Sequence, residues 1–235
     1  MLRVGWWEQY LKGGIKMKKR ILIACEESQT ICNEFRKQYP NWDTYSCDLK
    51  PCSGGHPEWH LQCDVKDILL LDYRPWDLII AHPPCTYLCN SGMRWYDVSK
   101  YGEKAIKRRE DQKDAISFFM FFTNIPCKHV AIENPVGIMS TKYRKPDQII
   151  QPWQFGDADC KKTCLWLKNL PKLEYTNIVE PEYVIRNDGK KYSKWSYDTW
   201  CISNHELRST IRSKTFPGIA QAIVNQWGEY LSKEV

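Results

Sequence analysis

A chain of 235 residues, 43% of them hydrophobic, can enclose a full core of its own, and its ordinary glycine and proline content excludes a fibrous repeat or a disordered polymer. The net charge of +6 suits a polyanionic partner without requiring one, and no run reaches the roughly 20 apolar residues of a membrane span. Eleven cysteines, an odd count in a chain that opens without a secretory signal, argue against a disulfide framework and for reduced thiols in the cytoplasm.

Residues 1 to 16, MLRVGWWEQYLKGGIK, precede a second methionine and read as an N-terminal extension. The regular pattern starts after Met17. RILIAC (20–25) reads as a buried strand, SQTICNEFRKQYP (28–40) spaces Ile31 and Phe35 as on a helix, and DTYSCDL (43–49) is a second strand ending on an acid. A short strand closes at CDV (63–65), DLIIAH (77–82) is a fully buried strand, and QKDAISFFMFFTNI (112–125) has the apolar face of a helix. HVAIENP (129–135) and CLWL (164–167) are further strands, and GIAQAIVNQWGEYL (218–231) is a terminal amphipathic helix. This alternation predicts an α/β domain with a mostly parallel sheet. Residues 88 to 111 and 168 to 215 break the rhythm. Both stretches are polar, basic and aromatic, and connections of that length usually carry function.

In such sheets a ligand lies beyond the carboxyl ends of the strands, at the switch point of the strand order. That rule selects Cys25-Glu26-Glu27-Ser28, Asp48, Asp64, His82-Pro83-Pro84-Cys85 and Glu133-Asn134-Pro135. An acid after the second strand suits a ribose diol, and an acid after the third suits an adenine amino group, so a nucleoside cofactor is expected there. Two prolines fix the backbone before Cys85 and present its thiol at a defined place. Arg94, Lys104, Lys107, Arg108 and Arg109 follow in the next loop, and nearby cations turn a thiol into a nucleophile. The bland alternative is a small core residue. Glu133 ends an apolar strand, where desolvation would raise its pKa toward proton donation; the alternative is a carboxylate that caps the next turn. A thiol and a carboxylic acid on neighbouring strands together suit addition to an electron-poor ring.

The ordered set ACE-S, HPPCTYL-NSG, ENP, QPWQFG, K-TCLWLKNLP and RS-T--GIA-A---QWG resembles the DNA (cytosine-5) methyltransferases, and small phage-type members in particular, over roughly residues 18 to 230. The resemblance implies a Rossmann-like class I S-adenosylmethionine-dependent methyltransferase fold, a mostly parallel sheet with helices on both faces. It also implies a core over 17–167, a small target-contacting insert over 168–212, and a C-terminal helix over 213–235 that completes the core. Cys85 would add to C6 of a flipped-out cytosine and Glu133 would contact N3 and the exocyclic amine, with Lys161 and Thr163 beside them. S-adenosylmethionine, leaving as S-adenosylhomocysteine, would be held by Ala24, Cys25, Glu26, Glu27, Ser28, Asp48, Leu49, Asp64, Val65, His82, Pro84, Ser213 and Thr215. Double-stranded DNA would meet Ser91, Arg94, Arg108, Arg109, Arg186, Lys190, Lys191, Lys194 and Trp195, and the protein would act as a monomer in a bacterial cell, with a phage or prophage origin plausible.

The departures are informative. The first loop, ACEESQ, has none of the glycines of larger members, which leaves Glu26 or Glu27 to meet the methionine ammonium. Where the family has Arg-x-Arg this chain has KKT, so Lys161 keeps a basic position and Thr163 does not. The segment 185–214 interleaves basic residues with Tyr192, Trp195, Tyr197 and Trp200, which suits phosphates and bases; NDGKKY equally suits a hairpin with a solvated face. Cys47, Cys52, His56, His60 and Cys63 cluster in sequence without paired C-x2-C units, so no metal is expected. An amino-group methyltransferase would carry an aromatic where Cys85 stands. The same carbon chemistry on RNA or a free pyrimidine nucleotide, and a catalytically silent relative that binds nucleic acid, remain alternatives.

Overall fold

The computed structural model describes residues 18–72 and 74–234, so the extension read over 1–16 lies outside the described residues. Its strands are β1 (Arg20–Ala24), β2 (Asp43–Asp48), β3 (His60–Gln62), β4 (Leu78–Ala81), β5 (His129–Pro135), β6 (Gln148–Ile150), β7 (Thr163–Lys168), β8 (Tyr183–Ile185) and β9 (Lys191–Ser193). The helices are α1 (Thr30–Gln38), α2 (Val65–Leu71), α3 (Val98–Tyr101), α4 (Glu103–Thr123), α5 (Met139–Lys142), α6 (Lys194–Cys201), α7 (His205–Ser213) and α8 (Pro217–Lys233).

Seven strands form one sheet in the order β3-β2-β1-β4-β5-β7-β6, and β8 pairs with β9 in a separate hairpin. β1 to β5 are mutually parallel, while β7 runs antiparallel to both β5 and β6. Every residue of β1 and β4 is buried, as continuous apolar strands covered on both faces must be. Ile21, Ile23, Leu78 and Ile80 face a layer that includes Ile31 and Phe35 of α1 and Ile223 and Trp227 of α8. Their alternate neighbours Leu22, Ala24, Ile79 and Ala81 face Val65 of α2 and Phe119 and Phe122 of α4. This is the Rossmann-like α/β architecture expected, mostly parallel with helices on both faces. Among the described residues, no helix is long and apolar enough to cross a membrane.

Three elements differ from expectation. The short strand read as closing at CDV (63–65) is β3 and ends at Gln62; residues 63–65 turn into α2, because Asp64 caps that helix by accepting from the Lys66 N–H at 2.9 Å. α4 begins at Glu103 instead of residue 112, and its early turns are so charged that Ala105 is their one buried residue. The stretch 88–111 is therefore folded: a 3-10 segment (Asn90–Tyr96), α3 and the start of α4. The stretch 168–215 holds the β8–β9 hairpin, turning at the NDGKKY site, followed by α6 and α7.

Candidate active site at the strand ends

Register decides which residues meet. Ala24 pairs with Cys47 on one side and Ala81 on the other, so Cys25, Asp48 and His82 leave the sheet side by side. Ala81 pairs with Ile132, which sets His82 against Glu133. The strand order reverses between β1 and β4, so these residues surround the switch point where such folds bind ligands.

The glycine-free first loop is shaped by side chains. Cys25 and Gln29 adopt φ of 60° and 55°, left-handed conformations that cost an L-residue about 1–2 kcal/mol each. Gln29, fully buried, holds the turn by donating from Nε2 to the His56 carbonyl at 2.8 Å and accepting the His56 N–H at 3.1 Å. The Ser53 N–H also donates to the Glu27 carbonyl at 2.9 Å. Gly54 permits this contact, since a Cβ there would lie 2.4 Å from Gln29 Cβ. Replacing Gln29 by alanine removes both side-chain bonds and is expected to lower stability by about 2–3 kcal/mol, read by urea unfolding.

Glu26 is not available to a cofactor. Its carboxylate accepts the Ile31 N–H at 2.7 Å and the Cys32 N–H at 3.3 Å, turned inward to the start of α1. Burial pushes this carboxyl up to about 7. The folded protein thus keeps the proton to about pH 7, whereas the free carboxyl releases it near 4.5, so this group makes stability fall as pH rises between those values. Glu26→Gln should flatten that part of the stability–pH curve. Glu27, the second acid of the loop, has its Oε1 buried with no hydrogen-bond partner among the described residues. Ser28 is tied to Thr30, hydroxyl to hydroxyl at 2.9 Å.

Further along the edge, Asp48 accepts the Lys50 N–H at 2.9 Å through one oxygen, and Leu49 is 72% exposed beside it. An apolar side chain left open next to a carboxylate suits an adenosine. Burial, with the charges of Asp48 and Asp64, pushes the Cys25 thiol up to about 12, so it stays a neutral wall and the two acids converge on it. Val65 is buried under Asp64, and Pro84 stands exposed at the lip. An orphaned carboxylate oxygen, paired acids and an open leucine fit S-adenosylmethionine.

The exposed Cys85 begins a tight turn in which its carbonyl accepts the N–H groups of Leu88 and Cys89, both at 3.0 Å. That turn lies against the end of β5. The Ile138 N–H donates to the Leu88 carbonyl at 2.9 Å, the Asn134 amide donates to the Pro83 carbonyl at 2.7 Å, and a Cβ on Gly137 would fall 2.0 Å from the Leu88 oxygen. Gly137→Ala must push the Cys85 turn outward, and misplacing a reacting group by an ångström can cost about 10²-fold in rate. A loss of that size is the expected result, together with a lowered melting temperature, because backbone atoms of Leu88 and Cys89 must give way.

The cations expected around Cys85 are employed elsewhere. Arg108 donates to the Thr86 carbonyl at 2.8 Å and lies over Tyr87 and Tyr96, and Arg109 donates to the Tyr96 carbonyl at 3.1 Å. Arg94 lies over Trp95, and Lys107 faces Asp111 at 3.5 Å. Arg108 and Arg109 thus hold the 86–96 segment in shape. Interaction between the two thiols raises Cys85 and lowers Cys89, which also bonds the Ser91 hydroxyl at 3.0 Å, so the proton they share stays on Cys85. Lys161 is the cation whose charge favours a Cys85 thiolate.

Glu133 accepts from or shares a proton with His82, whose Nδ1 is 3.1 Å from its Oε2. Burial pushes the Glu133 carboxyl up, but the His82 hydrogen bond and the charges of His82 and Lys161 outweigh it and hold the group below its usual value. Glu133 is therefore an ionised acceptor rather than the protonated acid expected, because its strand neighbour is a histidine. His82 thus stands beside Cys25 at the strand ends and turns its Nδ1 to Glu133. Lys161 donates to the carbonyls of Arg212 at 2.9 Å and Lys214 at 3.4 Å, at the carboxyl end of α7, where a cation is favoured. Thr163 donates to the Lys161 carbonyl at 3.3 Å. His82, Glu133, Lys161, Thr163, Ser213 and Thr215 line one small cavity of about 20 Å³, room for a single water. Ser213 and Thr215 thus join Glu133 instead of the cofactor loop.

The remaining basic residues divide. Arg186 lines an open cleft with Tyr192, Trp200 and Arg212. Lys190 and Lys194 pair with Asp188 at 3.7 Å and Asp198 at 3.1 Å, and Lys191 lies over Tyr183. Trp195 packs on Phe216 with Arg212 and Lys161 over its ring, so it supports the site instead of offering a free stacking face. Cys89 and Gly137 went unnoticed in the sequence; a C-x3-C spacing and the glycine two residues after ENP were the only signals. Ser46 and His60 bond to each other at 2.8 Å, and Cys47 donates to the Cys63 carbonyl at 3.5 Å.

Fold and strand ends together define a Rossmann-like α/β protein in which Glu27, Asp48, Asp64, Cys85 and Glu133 follow neighbouring strands around one switch point. No family model matches the sequence, and no curated protein matches it. The fold is similar to a solved structure described as the Entamoeba histolytica methyltransferase EhMeth, with a TM-score of 0.44 and 12% identity over 72% of this chain and 59% of that one. The chain thus spans 59% of that protein's length, and no functional assignment rests on the likeness.

Proposed function

We propose that the protein transfers a methyl group from S-adenosylmethionine to C5 of cytosine in double-stranded DNA, working as a monomer on a flipped-out base. What supports this reading is the His82–Glu133 pair, whose carboxylate acts electrostatically on Cys85, at strand ends neighbouring those followed by Glu27, Asp48 and Asp64. Bound S-adenosylmethionine supplies an electrophilic methyl group. The Cys85 sulfur adds to C6 of the ring as its proton passes to solvent, the charge of Lys161 favouring the thiolate. Glu133 accepts from the exocyclic amine, and the proton shared with His82 settles on N3, so that the electron pair of the C5–C6 bond is directed to C5. C5 would take the methyl group with S-adenosylhomocysteine as the leaving group; loss of the C5 proton to solvent would then expel the Cys85 sulfur as N3 gives its proton back to His82. Lys161 holds negative charge on Cys85 and Glu133 in place throughout.

Bisulfite sequencing of plasmid DNA from methylation-free bacteria expressing the protein tests this. Protected cytosines in a short recurring context are expected. Conversion of every cytosine would overturn the duplex-DNA assignment.

A further inference from the structure

The side-chain cluster formed by the hairpin, α6 and α7 has no part in the chemistry above. It walls a cleft of about 490 Å³ with Arg186, Arg208, Arg212, Tyr192, Tyr197 and Trp200. Resting on the cytosine assignment, we infer that this cleft takes one unpaired nucleotide on the strand that carries the target base, so that the duplex is opened locally beside that base.

Charge comes first. Three guanidiniums line the cleft, and none is ion-paired with a carboxylate among the described residues, while the neighbouring Lys190 and Lys194 each are. Arginines gathered without acids are a site for an anion, and the planar fork suits phosphate. Arg212 is also preset, because it donates to the Thr199 hydroxyl at 2.8 Å and lies 5.0 Å from the Trp195 ring centre.

Aromatic surface comes second. Trp200 is 60% exposed although an indole is costly to leave in water, and Arg186 stands over it at 5.7 Å. Tyr197 is 6.4 Å from Trp200 and 6.5 Å from Tyr192, which makes a row of rings along the cleft. Rings beside unpaired guanidiniums match a base joined to a phosphate, and stacking on such rings is indifferent to base identity. Volume comes third. Pockets of roughly 300–1,000 Å³ enclose a drug-sized ligand, the size of one nucleotide, and a base pair within a stacked duplex cannot enter. Finally, the Arg212 carbonyl accepts from Lys161, whose charge acts on both Glu133 and Cys85, so the cleft opens beside the reacting base.

The test is quenching of tryptophan emission by an unmethylated 12-nucleotide single strand, by the same sequence as a blunt duplex, and by polyphosphate of equal charge, all at one salt concentration. The single strand is expected to bind at least about tenfold tighter than either competitor. Trp200→Ala and Arg208→Ala, both close to the surface and checked by thermal melting, should each weaken single-strand binding by about 5- to 100-fold, the range of one lost stacking contact. Equal binding of strand and duplex, equal binding of polyphosphate, or no effect of Trp200→Ala would overturn the inference. Methyl transfer is measured alongside on both DNA forms. Transfer without strand preference overturns the cleft alone; strand preference without any transfer supports the cleft and overturns the cytosine assignment.

Discussion

A Cys85→Ser protein is expected to melt like the wild type and to lose methyl transfer by roughly 10⁴-fold or more. The side chain is exposed, and the turn it starts is held by backbone bonds from Leu88 and Cys89 that a serine leaves in place. Only the nucleophile changes. A hydroxyl surrenders its proton far less readily than a thiol, so surroundings that can release the proton of sulfur at position 85 leave oxygen there protonated. DNA carrying fluorine at C5 of cytosine supplies a direct readout. It has no proton to lose at C5 after methylation, so the wild-type protein should remain covalently attached and the variant should not. Activity within tenfold of wild type would exclude Cys85 as the nucleophile, and Cys89→Ser would then reveal whether its neighbour takes that part.

Trp227→Ala is expected to be the most damaging core change, lowering stability by about 3–5 kcal/mol. The indole is wholly buried in the layer between the sheet and α8, and its Nε1 donates to the Pro171 carbonyl at 3.0 Å. Truncation leaves a large cavity and an unpaired carbonyl. At about 2–4 °C per kcal/mol for a chain of this size, the melting temperature should fall by about 6–20 °C. The same ring lines the small cavity beside Glu133, so the variant reports whether α8 also supports the reaction site. A shift below about 1 kcal/mol would mean that α8 packs far less tightly than its burial indicates.

What could be read in advance follows physical lines. β1, β4, β5 and α8 bury continuous or well-spaced apolar residues, and such patterns have one solution in a two-layered sheet. β6 escaped notice because it is three residues long with only Ile150 buried, and the first half of α4 because charge masks its helical spacing. Strand-end logic located Cys85 and Glu133. It missed their protonation, since that depends on residues brought close only by folding: His82 across the strand pair and Cys89 across a turn. Charge likewise told nothing about direction. Arg108 looks like Arg186 in a sequence, yet the first braces a loop and the second lines an open cleft.

The left-handed turns at Cys25 and Gln29 have a consequence for transplantation. In a glycine-built loop the geometry belongs to the segment itself and moves with it into another scaffold. Here the instructions are divided between residues 25–29 and residues 53–56, joined through one glutamine side chain and one missing Cβ. A chimera that borrows only the first stretch would inherit the sequence of the pocket and not its shape, whereas one that borrows both stretches together would inherit the pocket as a working part.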